Sequence, residues 1–180
     1  MTIISPKLRI STPTGPIPTG RGFYQLEEDA LYVQVGLHAG SRPYFSSLES
    51  ENFRLDMDRH GRLMFIEFTV PRRQWQVEES LHIPSTVEAA DIRWLDFRED
   101  IVEPAPVTNE AGTVLQLRFN DSQPLYNYYL AESVIAQTDR ENRLAVIWIY
   151  DIVDDLAGQE IGAFRKMIRG KKSYLDRSID

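Results

Sequence analysis

Apolar and polar residues alternate along several short stretches of the chain. Leu31, Val33 and Val35 enclose Tyr32 and Gln34, and Phe53, Leu55 and Met57 enclose Arg54 and Asp56. A period of two sends one set of side chains to a buried face and the other toward solvent, so both stretches read as strands. Residues 62–70 form a third. Residues 145–150 are an unbroken apolar run, and 63–68 are interrupted only by Glu67. Runs of that kind belong to strands buried on both faces. The alternation predicts Ile147 and Ile149 on one face and Val146 and Trp148 on the other. Residues 92–97 read as a further strand. The segment 13–20 holds three prolines and two glycines and reads as a surface arm or loop. The period changes to that of a helix only once. Ala157, Ile161, Phe164 and Ile168 follow at spacings of 4, 3 and 4, which predicts a helix over 155–169 docking through those residues. Asp154 or Asp155 is positioned to cap it and Gly170 to end it, with Arg165, Lys166 and Arg169 facing water near its C-terminus, where the helix dipole favours cations.

The same pattern occurs twice. Residues 58–66, DRHGRLMFI, match residues 139–147, DRENRLAVI, at five of nine positions. A register of 84 residues places Leu8 on Ile92 and carries Leu31, Val33 and Val35 onto Leu115, Leu117 and Phe119 without a gap. The following connection is three residues shorter in the second copy, a change that loops tolerate. The turns repeat as well. Gly61 suits a left-handed φ in the first, and Asn142 takes the corresponding place in the second. Asp58 and Asp139 open the two turns, where a carboxylate accepts local backbone N–H groups. These signs predict a β-dominated α+β fold: two tandem pseudo-twofold β-meander repeats of roughly four strands each, sharing a core, with a C-terminal helix. The repeats would span 1–84 and 85–155, with helix and basic tail at 156–180, in one compact unit.

Composition narrows the class. The 180 residues have ordinary apolar and charged fractions, no cysteine and no apolar run of bilayer length. A cytoplasmic protein without a membrane association is expected. The net charge of -7 argues against non-specific nucleic-acid binding. It is unevenly spread: the last sixteen residues hold six Lys or Arg against two Asp.

The strand Asp29-Ala30-Leu31-Tyr32-Val33, followed by Asp56-Met57-Asp58 and then Gly61-Arg62-Leu63-Met64-Phe65-Ile66-Glu67, resembles a family of small bacterial single-domain proteins of unknown function. The likeness covers about residues 24–70. It is weaker in the second half, where Gly112-Thr113-Val114-Leu115 and Trp148 replace the first motif and Glu67. The family has no established activity for the resemblance to carry over. Because some members are encoded beside toxin-like genes, the resemblance implies a binding role of an immunity or antitoxin kind.

The chain has no Gly-x-Ser-x-Gly, P-loop, dinucleotide glycine pattern or His-Glu-x-x-His motif. No catalytic residue, metal ligand or cofactor is assigned. His38, His60 and His82 are widely separated. The acidic groups Asp96, Glu99, Asp100, Glu103 and Asp151, Asp154, Asp155 fit a solvated loop and a helix cap. Tyr126 and Tyr128 begin beside the connection that differs between the copies and are candidates for an exposed contact patch. Arg165, Lys166, Arg169, Lys171 and Lys172 form the candidate basic patch. The expected function is non-catalytic binding of a protein partner, with self-association as one form. A small-ligand or carbohydrate module with aromatic residues between the sheets is the alternative, and a carboxylate hydrolase is a further one.

Overall fold

The computed structural model describes residues 5–35, 44–94, 98–162 and 164–166, with backbone alone at 44, 45, 98 and 99. The first eight strands are β1 (Arg9–Ser11), β2 (Gly20–Gln25), β3 (Ala30–Val35), β4 (Tyr44–Glu49), β5 (Phe53–Asp58), β6 (Leu63–Phe68), β7 (Gln76–Val77) and β8 (Glu88–Ala89). The remainder are β9 (Asp91–Arg93), β10 (Arg98–Asp100), β11 (Ala105–Thr108), β12 (Leu115–Arg118), β13 (Tyr126–Ala131), β14 (Val134–Thr138), β15 (Leu144–Ile149) and β16 (Val153–Asp154). Two seven-stranded sheets result, ordered β10-β4-β5-β6-β3-β2-β16 and β7-β11-β12-β15-β14-β13-β8, with a small ribbon of β1 on β9.

The two large sheets have the same internal order. Read from β4 the first runs 4-5-6-3-2, and read from β13 the second runs 13-14-15-12-11. Leu31 and Leu115 therefore lie on strands in matching places. The order is not a plain meander, because β3 pairs with β6 and β12 with β15. The cause lies in the side chains. β6 and β15 carry the apolar runs and need neighbours on both edges and cover on both faces. Their burial follows suit, with all six residues of β15 buried.

The sheets pack face to face on one cluster. Leu31, Val33, Leu55, Ile66 and Phe68 of the first meet Leu115, Leu117, Ala136, Ile147 and Ile149 of the second, with exposures from 0 to 1%. Phe53 and Phe119 meet edge to face at 5.3 Å. At Gly22 a Cβ would come within 2.9 Å of Ile149 Cγ2, so glycine there lets the sheets close. The expected division of β15 holds: Ile147 and Ile149 face this core, whereas Val146 and Trp148 belong to a separate cluster on the outer face.

The halves exchange their arms. After β6 the chain passes through one 3-10 turn (Arg72–Gln74), and β7 then joins β11 in the second sheet. After β15 it returns, and β16 joins β2 in the first. β10 also joins the first sheet. The segment boundaries at 84 and 155 therefore do not divide the sheets. The same reciprocity holds at the turns, where the N–H of Leu8 donates to Asn142 O at 2.8 Å and that of Ile92 to Gly61 O at 3.1 Å. The arm at 13–20 has the expected irregular form, and Asp91 pins it by accepting the Thr14 N–H at 2.9 Å and its hydroxyl at 2.7 Å.

Three expectations are corrected in extent. The described strand near 92–97 is only Asp91–Arg93. The main sheets use five strands per half, with two short edge strands each. The helix begins at 159, not 155: Asp155 continues the sheet edge, its N–H donating to Tyr24 O at 2.9 Å, and Gly158 turns the chain with φ of 69°. Asp155 still acts as the cap, its carboxylate accepting the N–H of Glu160 at 3.4 Å and of Ile161 at 3.1 Å. Ala157 is consequently exposed and does not dock, while Ile161 and Phe164 do, on Phe23, Tyr32 and Phe65. Ile168 lies outside the described residues. No helix among the described residues is long and apolar enough to cross a membrane.

Candidate functional site

The four turn residues behave as a matched set. Asp58 Oδ1 accepts the N–H groups of His60 and Arg62 at 2.8 and 3.1 Å, and Asp139 Oδ1 accepts those of Glu141 and Arg143 at 2.9 and 3.0 Å. Gly61 and Asn142 have φ of 78° and 60°. Both carboxylates are nearly buried, at 2% and 6% exposure, and bonded to backbone, so they shape turns.

The basic candidates separate. Arg169, Lys171 and Lys172 lie outside the described residues. Lys166 is exposed, as expected. Arg165 is half exposed but forms an ion pair with Glu28, whose other carboxylate oxygen accepts the Tyr32 hydroxyl at 2.6 Å. It therefore braces the helix against the β2–β3 hairpin, because Phe164 beside it is seated over Tyr32 with ring centroids at 4.6 Å.

The tyrosines sit at one end of the second sheet. Tyr126 is 46% exposed and Leu125 before it 51%. Tyr128 is half-buried against the inter-sheet core, and burial first, then the Glu88 carboxylate and Tyr126, raises its pKa. Leu125 also lines a hollow of about 890 Å³ with Phe119, Asn120, Ser122, Gln123, Arg140, Glu141 and Arg143. Its walls are fixed. The Asn120 side-chain amide donates to Leu144 O at 3.0 Å and to Ser5 Oγ at 2.8 Å, and its oxygen accepts the Ser122 N–H at 2.8 Å. Arg143 donates to Ser5 O at 3.0 Å, leaving Arg140 and Glu141 exposed at the rim. The 120–123 wall lies outside the alternating pattern of the sequence. Its signal was the turn-forming run Asn120-Asp121-Ser122-Gln123-Pro124 at the connection that differs between the halves.

A second polar cluster had no sequence signal, because its members come from four separate segments. The Tyr24 hydroxyl donates to Asp29 at 3.1 Å and accepts the Arg72 N–H at 2.8 Å, while the Arg72 guanidinium lies 4.0 Å from the Tyr24 ring centroid. Arg72 also reaches Asp154 at 2.6 Å, and Arg73 reaches Asp29 at 2.7 Å. The bonds from Arg73 and then Tyr24 lower the Asp29 pKa, and burial is the main cause raising that of Tyr24. Arg72 lies on the arm leaving the first sheet and Asp154 on the arm entering it, so this pair ties the exchanged arms together.

Trp75 and Trp94 belong to the core between the sheets, at 4% and 8% exposure, and Trp148 to the outer-face cluster at 4%. His60 sits on a turn and His82 on the connection after β7, both exposed, and His38 lies outside the described residues. Glu103 Oε2 accepts the Asn52 N–H at 3.1 Å, and Asp100 and Asp151 are exposed. Asp96 lies outside the described residues. Among the described residues no three His, Cys, Asp or Glu side chains are grouped to hold a metal ion. No known family model matches the chain, and no curated protein matches it.

Proposed function

We propose that the protein works as a binding protein for another protein, without catalysis, and that its contact surface is the Leu125–Tyr126 rim with the adjoining hollow. The observation that carries this reading is the half-exposed pair Leu125 and Tyr126 beside an open hollow of about 890 Å³. An apolar and aromatic centre with an Arg and Glu rim has the anatomy of a protein interface. The walls are held by backbone-directed bonds, so the surface is pre-organised. An immunity-like or antitoxin-like role follows from the family resemblance and stands or falls with it.

The test is capture from the native host with the intact chain and with a Leu125→Asp, Tyr126→Ala variant. A partner retained by the first and lost from the second, at unchanged melting temperature, supports the assignment. Equal capture by both removes this surface from consideration.

We further infer that the halves are tandem copies of one unit. The matched strand orders, the paired Asp turns and the reciprocal arms support this. A superposition that puts Gly61 and Asn142 at different turns refutes it.

A further inference from the structure

Each exchanged arm continues past its short edge strand and lies over the outer face of the sheet it has joined. On the first sheet this cover is the helix, with Phe164 packed on Tyr32, Phe65 and Phe23 at centroid distances of 4.6, 5.4 and 6.2 Å, and with Asp155 capping it. On the second sheet the cover is residues 79–87, which form neither helix nor strand.

We propose that residues 79–87 form a strap that lifts from the second sheet without unfolding it and uncovers an apolar groove walled by Ile135, Val146 and Trp148. Leu81 and Val87 are the strap's anchors, both packed against that cluster. Glu79, Ser80, His82, Ile83, Ser85 and Thr86 are exposed. Among the described residues, 79–86 take part in one hydrogen bond, from Asn127 Nδ2 to Thr86 O at 3.0 Å. Both ends are tethered: the Glu78 N–H donates to Thr108 O at 2.9 Å, and Glu88 pairs with Tyr128. The strap can therefore open as a loop while its ends stay in the sheet.

The surface below is complete without the strap. Trp148 Nε1 donates to Gln137 Oε1 at 2.7 Å, and Gln137 Nε2 donates to Asn127 Oδ1 at 2.8 Å. The buried indole N–H thus finds its partner within the sheet. Opening breaks one hydrogen bond and exposes apolar surface, and it leaves no buried donor stranded. Segments with few hydrogen bonds and few buried side chains open at free energies well below that of global unfolding. The helix on the opposite sheet, with three ring contacts and a cap, is the firmer cover.

Subtilisin, whose broad specificity does not depend on the residues at 81 and 87, tests this on the intact chain at the bonds within 79–87. The strap should be cut in native buffer at a rate nearly independent of low urea, with the rest of the chain intact. Leu81→Ala together with Val87→Ala should raise that rate about tenfold or more, since cleavage follows the open population when reclosing is fast. In the same variant the Trp148 indole N–H resonance should shift, while those of Trp75 and Trp94 stay in place. Cleavage that rises with urea as steeply as global unfolding overturns the proposal. So does a double variant with the wild-type cleavage rate or an unmoved Trp148 resonance.

Discussion

Replacing Gly61 by alanine combines two costs that the structure locates at a single residue. Gly61 has φ of 78°, and a left-handed conformation costs a residue with a Cβ about 1–2 kcal/mol. The new Cβ would also lie 2.7 Å from Ile92 O and 3.1 Å from Ile92 N, too close to a backbone that cannot rotate away. β9 would have to shift, weakening the 3.1 Å bond from the Ile92 N–H to Gly61 O at a cost of about 0.5–1.5 kcal/mol. The sum is about 1.5–3.5 kcal/mol. Asn142 supplies the control. It holds φ of 60° and receives the Leu8 N–H at 2.8 Å with its Cβ already accommodated. Asn142→Ala therefore loses only the tolerance of Asn for this conformation, about 1 kcal/mol or less. Urea unfolding with linear extrapolation measures both. For a chain of this length, a loss of about 2.5 kcal/mol corresponds to a melting temperature lower by about 5–10 °C. Equal losses for the two variants would refute the close approach of β9. A Gly61→Ala protein within about 0.5 kcal/mol of wild type would refute the strained turn as well.

Three further outcomes follow from the same contacts. Ile147→Ala, at 0% exposure in the inter-sheet core, should cost about 2–5 kcal/mol by urea unfolding, and the amides of β15 should exchange among the slowest in the chain. Asp58→Ala and Asp139→Ala should each cost about 1–3 kcal/mol, since each leaves two backbone N–H groups of a turn without their acceptor; a neutral result at either would remove it as a turn residue. Burial, and secondarily Glu67, pushes the Tyr32 pKa from 10.0 up to about 12. The unfolded chain then ionises first as pH rises, so the stability Tyr32 contributes is whole below pH 10 and is lost as pH climbs through about 12. Tyr32→Phe should flatten the stability profile in that window, read by circular dichroism against tyrosinate absorbance, and an unchanged alkaline limb would contradict it.

The exchanged arms bear on how the molecule fails. Arg72 is bonded to Asp154 and stacked on Tyr24, so it links the crossover out of the first sheet to the strand that completes that sheet's edge. The outermost strands of the large sheets have only two or three residues each. Short edges offer little template for pairing with another chain, which is the usual protection of an open β-sheet.

Local chemistry determined the elements. Period-two alternation located β3 and β5, and the continuous apolar runs located β6 and β15, because side-chain direction in a strand is fixed by position alone. The Asp58–Gly61 and Asp139–Asn142 turns were legible because φ tolerance and a short carboxylate act within a few residues. Of the candidate site, Tyr126 was legible from its place beside a variable connection, but the hollow beside it was not, since Phe119, Asn120, Arg140 and Ser5 meet only after folding. Strand order, the crossing of β7 and β16 to opposite sheets and the cluster around Arg72 were likewise decided by the tertiary structure. So was the start of the helix: its periodicity extends back to Ala157, but the bond from the Asp155 N–H to Tyr24 O holds that stretch in the sheet edge. In each case the partners lie tens of residues apart, and the choice among them rests on which faces remain uncovered once both sheets exist. A pattern read within one strand records which of its faces is apolar, whereas the surface that covers that face belongs to another part of the chain.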